Sequence, residues 1–235
     1  MLNSLKKEVC KANIKLSKYG LAMLTWGNVS GIDRKKGLVV IKPSGVPYKR
    51  LTPEKMIIVD FDGNVVEGKG KPSSDTATHI RLYEAFEHIG GIVHTHSTYA
   101  AAFAQAALPI PVLGTTHADY FFGDIPITRA MTDEEINELY EYNTANIIIE
   151  ANINPMEIQA VLVKNHGPFT WGKTPKKALE NALVLEELAK MAFLTKDINS
   201  KATKVNQALL ERHYLRKHGK DAYYGQTGGM GDPNN

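Results

Sequence analysis

A single cysteine, Cys10, occurs in 235 residues. One thiol cannot close an intramolecular disulfide and leaves no cysteine-based zinc site, so a reducing compartment is expected and any metal falls to histidine and carboxylate. As a nucleophile Cys10 is a poor candidate, because it sits in an amphipathic helical pattern where a buried structural thiol is the ordinary outcome. Long apolar runs are also missing. Lys6, Lys7 and Glu8 interrupt the first dozen residues, and nothing reaches signal-peptide or membrane-spanning length, so a soluble, cytoplasmic protein with no membrane contact is expected. Charge of one sign is scarce: a formal net charge of +3 makes a nucleic-acid surface improbable, yet does not repel a small anion. Repeats and linkers rich in Pro, Gly or Ser are absent too, which argues against two domains. What is present, 43% hydrophobic and 23% charged residues, suits one folded domain with a full core rather than a disordered chain.

Leu2, Leu5, Val9, Ala12 and Leu16 recur at helical spacing and predict an opening helix that ends near Tyr19-Gly20. Strands are predicted at 38–41 and 56–60, with Asp62-Gly63 as a hairpin turn before Val65-Val66. Ser73 to Thr76 can cap a following helix. A buried strand over 91–96 leads into an alanine-rich helix, and Thr132-Asp133-Glu134-Glu135 has the pattern of a capping box for a helix running towards Glu150. A strand at 160–164 precedes Asn165-His166-Gly167-Pro168, and Thr174-Pro175 opens a long helix. A single three-layer α/β/α domain over residues 1–226 accommodates these elements. The last residues, 227–235, carry breakers and no apolar periodicity, so a flexible tail is expected there.

His94 and His96 stand at i and i+2 on a predicted strand, so both imidazoles leave one face, about 7 Å apart along the chain. That spacing lets two rings converge on one ion, and such a polar strand end is costly to bury without a role. Two hydrogen-bonded histidines on a polar face are the alternative. His166 follows a separate strand and is held by a turn, and three histidines with an open position suit catalytic zinc. Asp75 reads as a fourth ligand, a base or a plain helix cap. His79, His88 and His218 read as surface or hydrogen-bonding residues, and His117 as a residue that orients Asp119 or does nothing chemical.

Gly27-Asn28, Ser44-Gly45 and Ser73-Ser74 put small residues in turns where backbone N–H groups can approach a phosphate, although each alone is an ordinary turn. Lys42, beside the second of them, adds positive charge or is a solvated strand-end lysine. The basic, aromatic run from Arg212 to His218 is better explained as a solvated helix face than as an RNA site. Tyr223 and Tyr224 pack or, placed over a site, transfer a proton.

The segments Thr25 to Ser30, Lys42 to Val46, Pro72 to Thr76, His94 to Ser97, Gly114 to Tyr120, Asn165 to Phe169 and His213 to Gln226, in this order, resemble the class II aldolase/epimerase family, and within it the epimerases rather than the aldolases. The likeness covers nearly the whole chain. It implies an α/β/α sandwich with a central, mainly antiparallel sheet, assembled as a homotetramer with sites between subunits. It implies Zn²⁺ held by Asp75, His94, His96 and His166, with Mn²⁺ or Co²⁺ as other occupants of such a donor set. Gly27, Asn28, Ser44, Gly45, Ser73 and Ser74 would hold the substrate, chiefly its phosphate. Asp119 and Tyr224 would be the acid/base pair, presented by a neighbouring subunit, with His213 and Arg216 as secondary candidates.

The activity so implied is inversion at C4 of a ketose phosphate, interconverting L-ribulose 5-phosphate and D-xylulose 5-phosphate. The C4 proton is not acidic, so breaking and remaking the C3–C4 bond is easier than removing it, and two proton carriers on opposite faces are then needed. Rival readings are a class II aldolase of the fuculose- or rhamnulose-phosphate type, which carries Glu where this chain has Asp75, a non-catalytic interaction module of the same fold, and a Schiff-base aldolase using Lys42. The pathway served, through arabinose, ascorbate or xylose, stays open.

Overall fold

The computed structural model describes residues 2–220, 222 and 223. Tyr224 and the tail expected over 227–235 lie outside them. The opening helix forms as α1 (Asn3–Lys18), followed by β1 (Asn28–Asp33), β2 (Leu38–Ile41), β3 (Ile57–Val59) and β4 (Val65–Glu67). Then come α2 (Thr76–Ala85), β5 (Gly91–His94), α3 (Thr98–Gln105), α4 (Thr115–Ala118), α5 (Asp133–Asn137) and α6 (Tyr140–Glu150). The rest is β6 (Ala160–Val163), β7 (Gly167–Gly172), α7 (Pro175–Ile198) and α8 (Gln207–His218).

The strands form one seven-stranded sheet in the order β4-β3-β2-β1-β5-β7-β6, and its neighbours pair antiparallel. Alternation along each strand divides the core into layers. Val39, Ile41, Ile57, Val59, Ile92, Phe169 and Trp171 pack on one face with residues of α2 and α6. Val29, Val40, Ile58 and Val93 pack on the other with residues of α1 and α7. The three-layer architecture expected from the element pattern is the one observed.

Two strands carry no clear signature in the sequence. β1 reads Asn-Val-Ser-Gly-Ile-Asp, and its Asn28 and Ser30 are polar yet buried. β7 holds Pro168 beside the expected turn, near the strand's start, where its missing N–H removes little from the ladder. Two expectations need correction. The strand over 91–96 stops at His94, and the helix from Thr132 to Glu150 is two helices broken at Leu139, whose φ of 25° no helix accepts. The capping box itself is present, with Thr132 accepting from the Glu135 amide.

Candidate active site

β5 lies between β1 and β7, and its last residue, His94, is 1% exposed. Its Nδ1 lies 3.1 Å from the Pro168 carbonyl oxygen and its ring stacks on Phe169 at 4.2 Å. A carbonyl only accepts, so Nδ1 carries the proton and Nε2 presents a lone pair. That lone pair meets His96 Nε2 at 3.0 Å. His96 stands past the strand's end, where the chain leaves the pleat, and this brings its ring much closer to His94 than strand spacing alone allows.

His166 comes from the three-residue turn joining β6 to β7, in which Asn165 takes the left-handed φ of 61° that such a turn requires. Its ring centroid lies 4.6 Å from that of His94 and 5.1 Å from that of His96. One ligand nitrogen from each of the three histidines lies within 4.8 Å of the others. Two glycines permit this crowding. A Cβ on Gly27 would sit 2.7 Å from the His94 carbonyl oxygen, and one on Gly167 would sit 2.6 Å from that of Thr95.

Burial keeps the three rings neutral. It pushes His94 and His96 below the usual histidine range, and it pushes His166 down to about 3, assisted by the other two rings. Asp75 lines the same cavity but stands outside the cluster of mutually close ligand atoms. Burial works against its ionisation; the polar rings of His94, His79 and His166 around it and an Asn28 amide donating to Oδ2 favour the carboxylate, and the carboxyl stays below its ordinary value. Three neutral imidazoles converging beside one carboxylate are a donor set that fits a divalent cation.

The cavity around the cluster measures about 500 Å³ and is lined by Gly27, Asn28, Ser44, Gly45, Ser73 and Ser74, the six residues expected to face a substrate. The turns at 44 and 73 are tied together: the Ser44 amide donates to Lys71 O and the Ser73 amide to Lys42 O. Those two N–H groups are therefore committed to backbone, leaving the serine hydroxyls to face a ligand. Lys42 also lines the cavity; it is 2% exposed, burial pulls its pKa down, and its Nζ donates to Pro43 O at 3.3 Å. Tyr140 and Glu141 line it as well, unmarked by any motif, because they lie at the start of a helix whose break is silent in the sequence. The Tyr140 hydroxyl lies 3.4 Å from His166 Nδ1.

Asp119 is placed elsewhere, just after α4, and does not line this cavity. Arg216 on α8 grips it in a fork, Nε to Oδ1 at 3.1 Å and Nη2 to Oδ2 at 2.9 Å, while His213 Nδ1 lies 3.1 Å from Oδ1. Burial opposes ionisation, but the Arg216 and His213 hydrogen bonds prevail and hold the carboxyl below the usual range. His117 does not orient Asp119, since its Nε2 bonds Gly123 O at 2.8 Å instead. His79 is wholly buried rather than on the surface, with Nδ1 2.7 Å from Ser30 Oγ. His88 is exposed, and His218 is exposed with Nε2 bonded to Asp119 O.

The chain belongs to the class II aldolase and adducin N-terminal domain family, whose pattern matches residues 7–193. Among characterised relatives it is 53% identical over 227 residues to L-ribulose-5-phosphate 4-epimerase UlaF of Salmonella paratyphi B, covering 96% of this chain and 100% of that protein. The fold superposes on a solved L-fuculose 1-phosphate aldolase with a TM-score of 0.77 and 27% identity, covering 91% of this chain and 95% of the other. YgbL from Escherichia coli, a putative aldolase/epimerase/decarboxylase, superposes with a TM-score of 0.73 at 24% identity over 89% and 97% of the two chains, a likeness of fold alone. Among the described residues no helix is long and apolar enough to cross a membrane.

Proposed function

We propose that this protein is an isomerase that inverts C4 of L-ribulose 5-phosphate to give D-xylulose 5-phosphate, acting in the cytoplasm as a single domain over residues 1–226. The observation that carries the reading is the 53% identity, end to end, with an enzyme named for that reaction. The site chemistry supports it. His94, His96 and His166 would hold Zn²⁺, with Asp75 as the carboxylate beside them. A divalent cation there supplies a Lewis acid that stabilises negative charge developing on the sugar oxygens.

The chain's own residues do the rest. The hydroxyls of Ser44, Ser73 and Ser74, with Gly27, Asn28 and Gly45 beside them, anchor the phosphate while the C3–C4 bond opens. The freed aldehyde turns its other face and the bond re-forms with inverted configuration. Asp119, kept ionised by Arg216, accepts the C4 hydroxyl proton of one epimer, and Tyr224 serves the other. Asp119 lies away from the cavity of its own chain, so it acts on the cavity of a second copy, which suits a homotetramer with sites between subunits.

A coupled assay for D-xylulose 5-phosphate formed from L-ribulose 5-phosphate, with and without chelator, tests the reading. Chelator-sensitive formation is expected. Net release of dihydroxyacetone and glycolaldehyde phosphate in its place would make the protein an aldolase. Absence of both turnover and stoichiometric metal would make it a binding module.

A further inference from the structure

Trp26 is a large apolar side chain left 51% exposed at the edge of the histidine cavity. Its indole lies 6.5 Å, centroid to centroid, from the ring of His96, the exposed member of the cluster. The backbone beneath it is fixed. The Tyr48 hydroxyl, itself buried, donates to the carbonyls of Trp26 at 2.6 Å and Gly27 at 2.7 Å, and the Trp26 amide donates to Met23 O. A rigid backbone presenting a half-exposed indole is an arrangement that core packing does not require, because core packing would bury the ring.

We propose that Trp26 is a specificity-determining residue that walls the cavity on its His96 side and keeps the aldehyde fragment inside between cleavage and re-addition. The inference rests on the epimerase reading. In that reaction the C4 hydroxyl proton is removed, the C3–C4 pair moves onto the three-carbon fragment as an enediolate, and C4 becomes the neutral aldehyde of glycolaldehyde phosphate. Re-addition returns the pair to the C3–C4 bond and a proton to the C4 oxygen, so nothing is oxidised or reduced. An epimerase and an aldolase therefore share the cleavage step and differ in whether the aldehyde escapes. The serine turns hold its phosphate end, and the flat indole bounds the volume in which the carbonyl end rotates and restricts access of bulk water.

Trp26→Ala is expected to raise aldehyde release per epimerisation, measured by trapping with phenylhydrazine, by about tenfold, and to lower kcat/KM for epimerisation by a similar factor. Metal content and melting temperature stay at wild-type values, and Trp26→Phe restores most of the retention. A readout independent of turnover uses fluorescence. The chain has two tryptophans, and Trp171 is 0% exposed, so acrylamide quenching reports Trp26. An equilibrium mixture of the two pentulose phosphates should shield the wild type from quenching. Unchanged release in Trp26→Ala beside normal wild-type epimerisation overturns this inference alone, as does quenching that the sugars leave untouched. A wild type that forms no D-xylulose 5-phosphate overturns the parent reading.

Discussion

The two clusters of chemistry in this chain are built on opposite principles. At the end of β5 three imidazoles are desolvated until they are neutral and their lone pairs converge, a region short of positive charge and arranged to receive it. Around Asp119 the order is reversed, with one carboxylate surrounded by Arg216, His213 and Lys217, the last at 3.7 Å. Burial dominates the first region and hydrogen-bonded ion pairing the second. The contrast teaches that a low pKa has two origins here, and on the function proposed above they would serve two uses, keeping bases unprotonated for a cation and keeping an acid ionised for a proton.

The sharpest way to break the comparison is to remove a donor from the neutral cluster. His94→Ala or His166→Ala is expected to leave bound metal well below one equivalent by elemental analysis and to lower epimerisation at least ~10³-fold, the equivalent of several kcal/mol of lost charge stabilisation. Stoichiometric metal in either variant would remove that residue from the donor set. The charged cluster should respond differently. Asp119→Asn is expected to cost ~10²–10⁴-fold in turnover with metal content unchanged, and Arg216→Ala a smaller factor, about tenfold, because the carboxylate remains but loses its fork. If Asp119→Asn lost metal as well, the two regions would not be separable.

The smallest expected effect is on stability. Burial pushes His79 from an unfolded value near 6.5 to about 3 and His117 to about 4. The unfolded chain therefore takes up protons first as pH falls, so the stability these neutral rings contribute is complete above about 6.5 and is lost towards the folded values. Melting temperature should fall by at least about 3 °C between pH 7 and pH 5, with a shallower slope in His79→Gln. A flat profile would mean that neither ring resists protonation.

Much of the neutral cluster was legible in sequence because its information is local: alternate positions at the end of one strand, a turn after another, and a serine pair at a helix start. The family resemblance brought the scattered pieces into one list. The charged cluster was less legible, since Asp119 and Arg216 are 97 residues apart and only folding shows that α8 docks its basic face on that carboxylate. β1 escaped notice because Asn28 and Ser30 are poor strand formers; their burial is offset in part by hydrogen bonds to Asp75, Ser73 and His79, although Asn28 Oδ1 has no partner among the described residues. Tyr140 was hidden for another reason. A helical pattern runs through the break at Leu139, and nothing in the periodicity reports where the chain turns.

Gly27, just ahead of β1, and Gly167, at the start of β7, press on residues 94–96, and that crowding would make a berth for an ion there a matter of backbone calibre rather than of side-chain rotamers. A methyl group on either glycine would shove the whole strand terminus, moving the imidazoles of His94 and His96 in concert. On the function proposed above, such a lineage would forfeit its ion in a single codon change while every imidazole stayed in the gene. An inventory of ligands alone would then mistake the inactive descendant for a working enzyme.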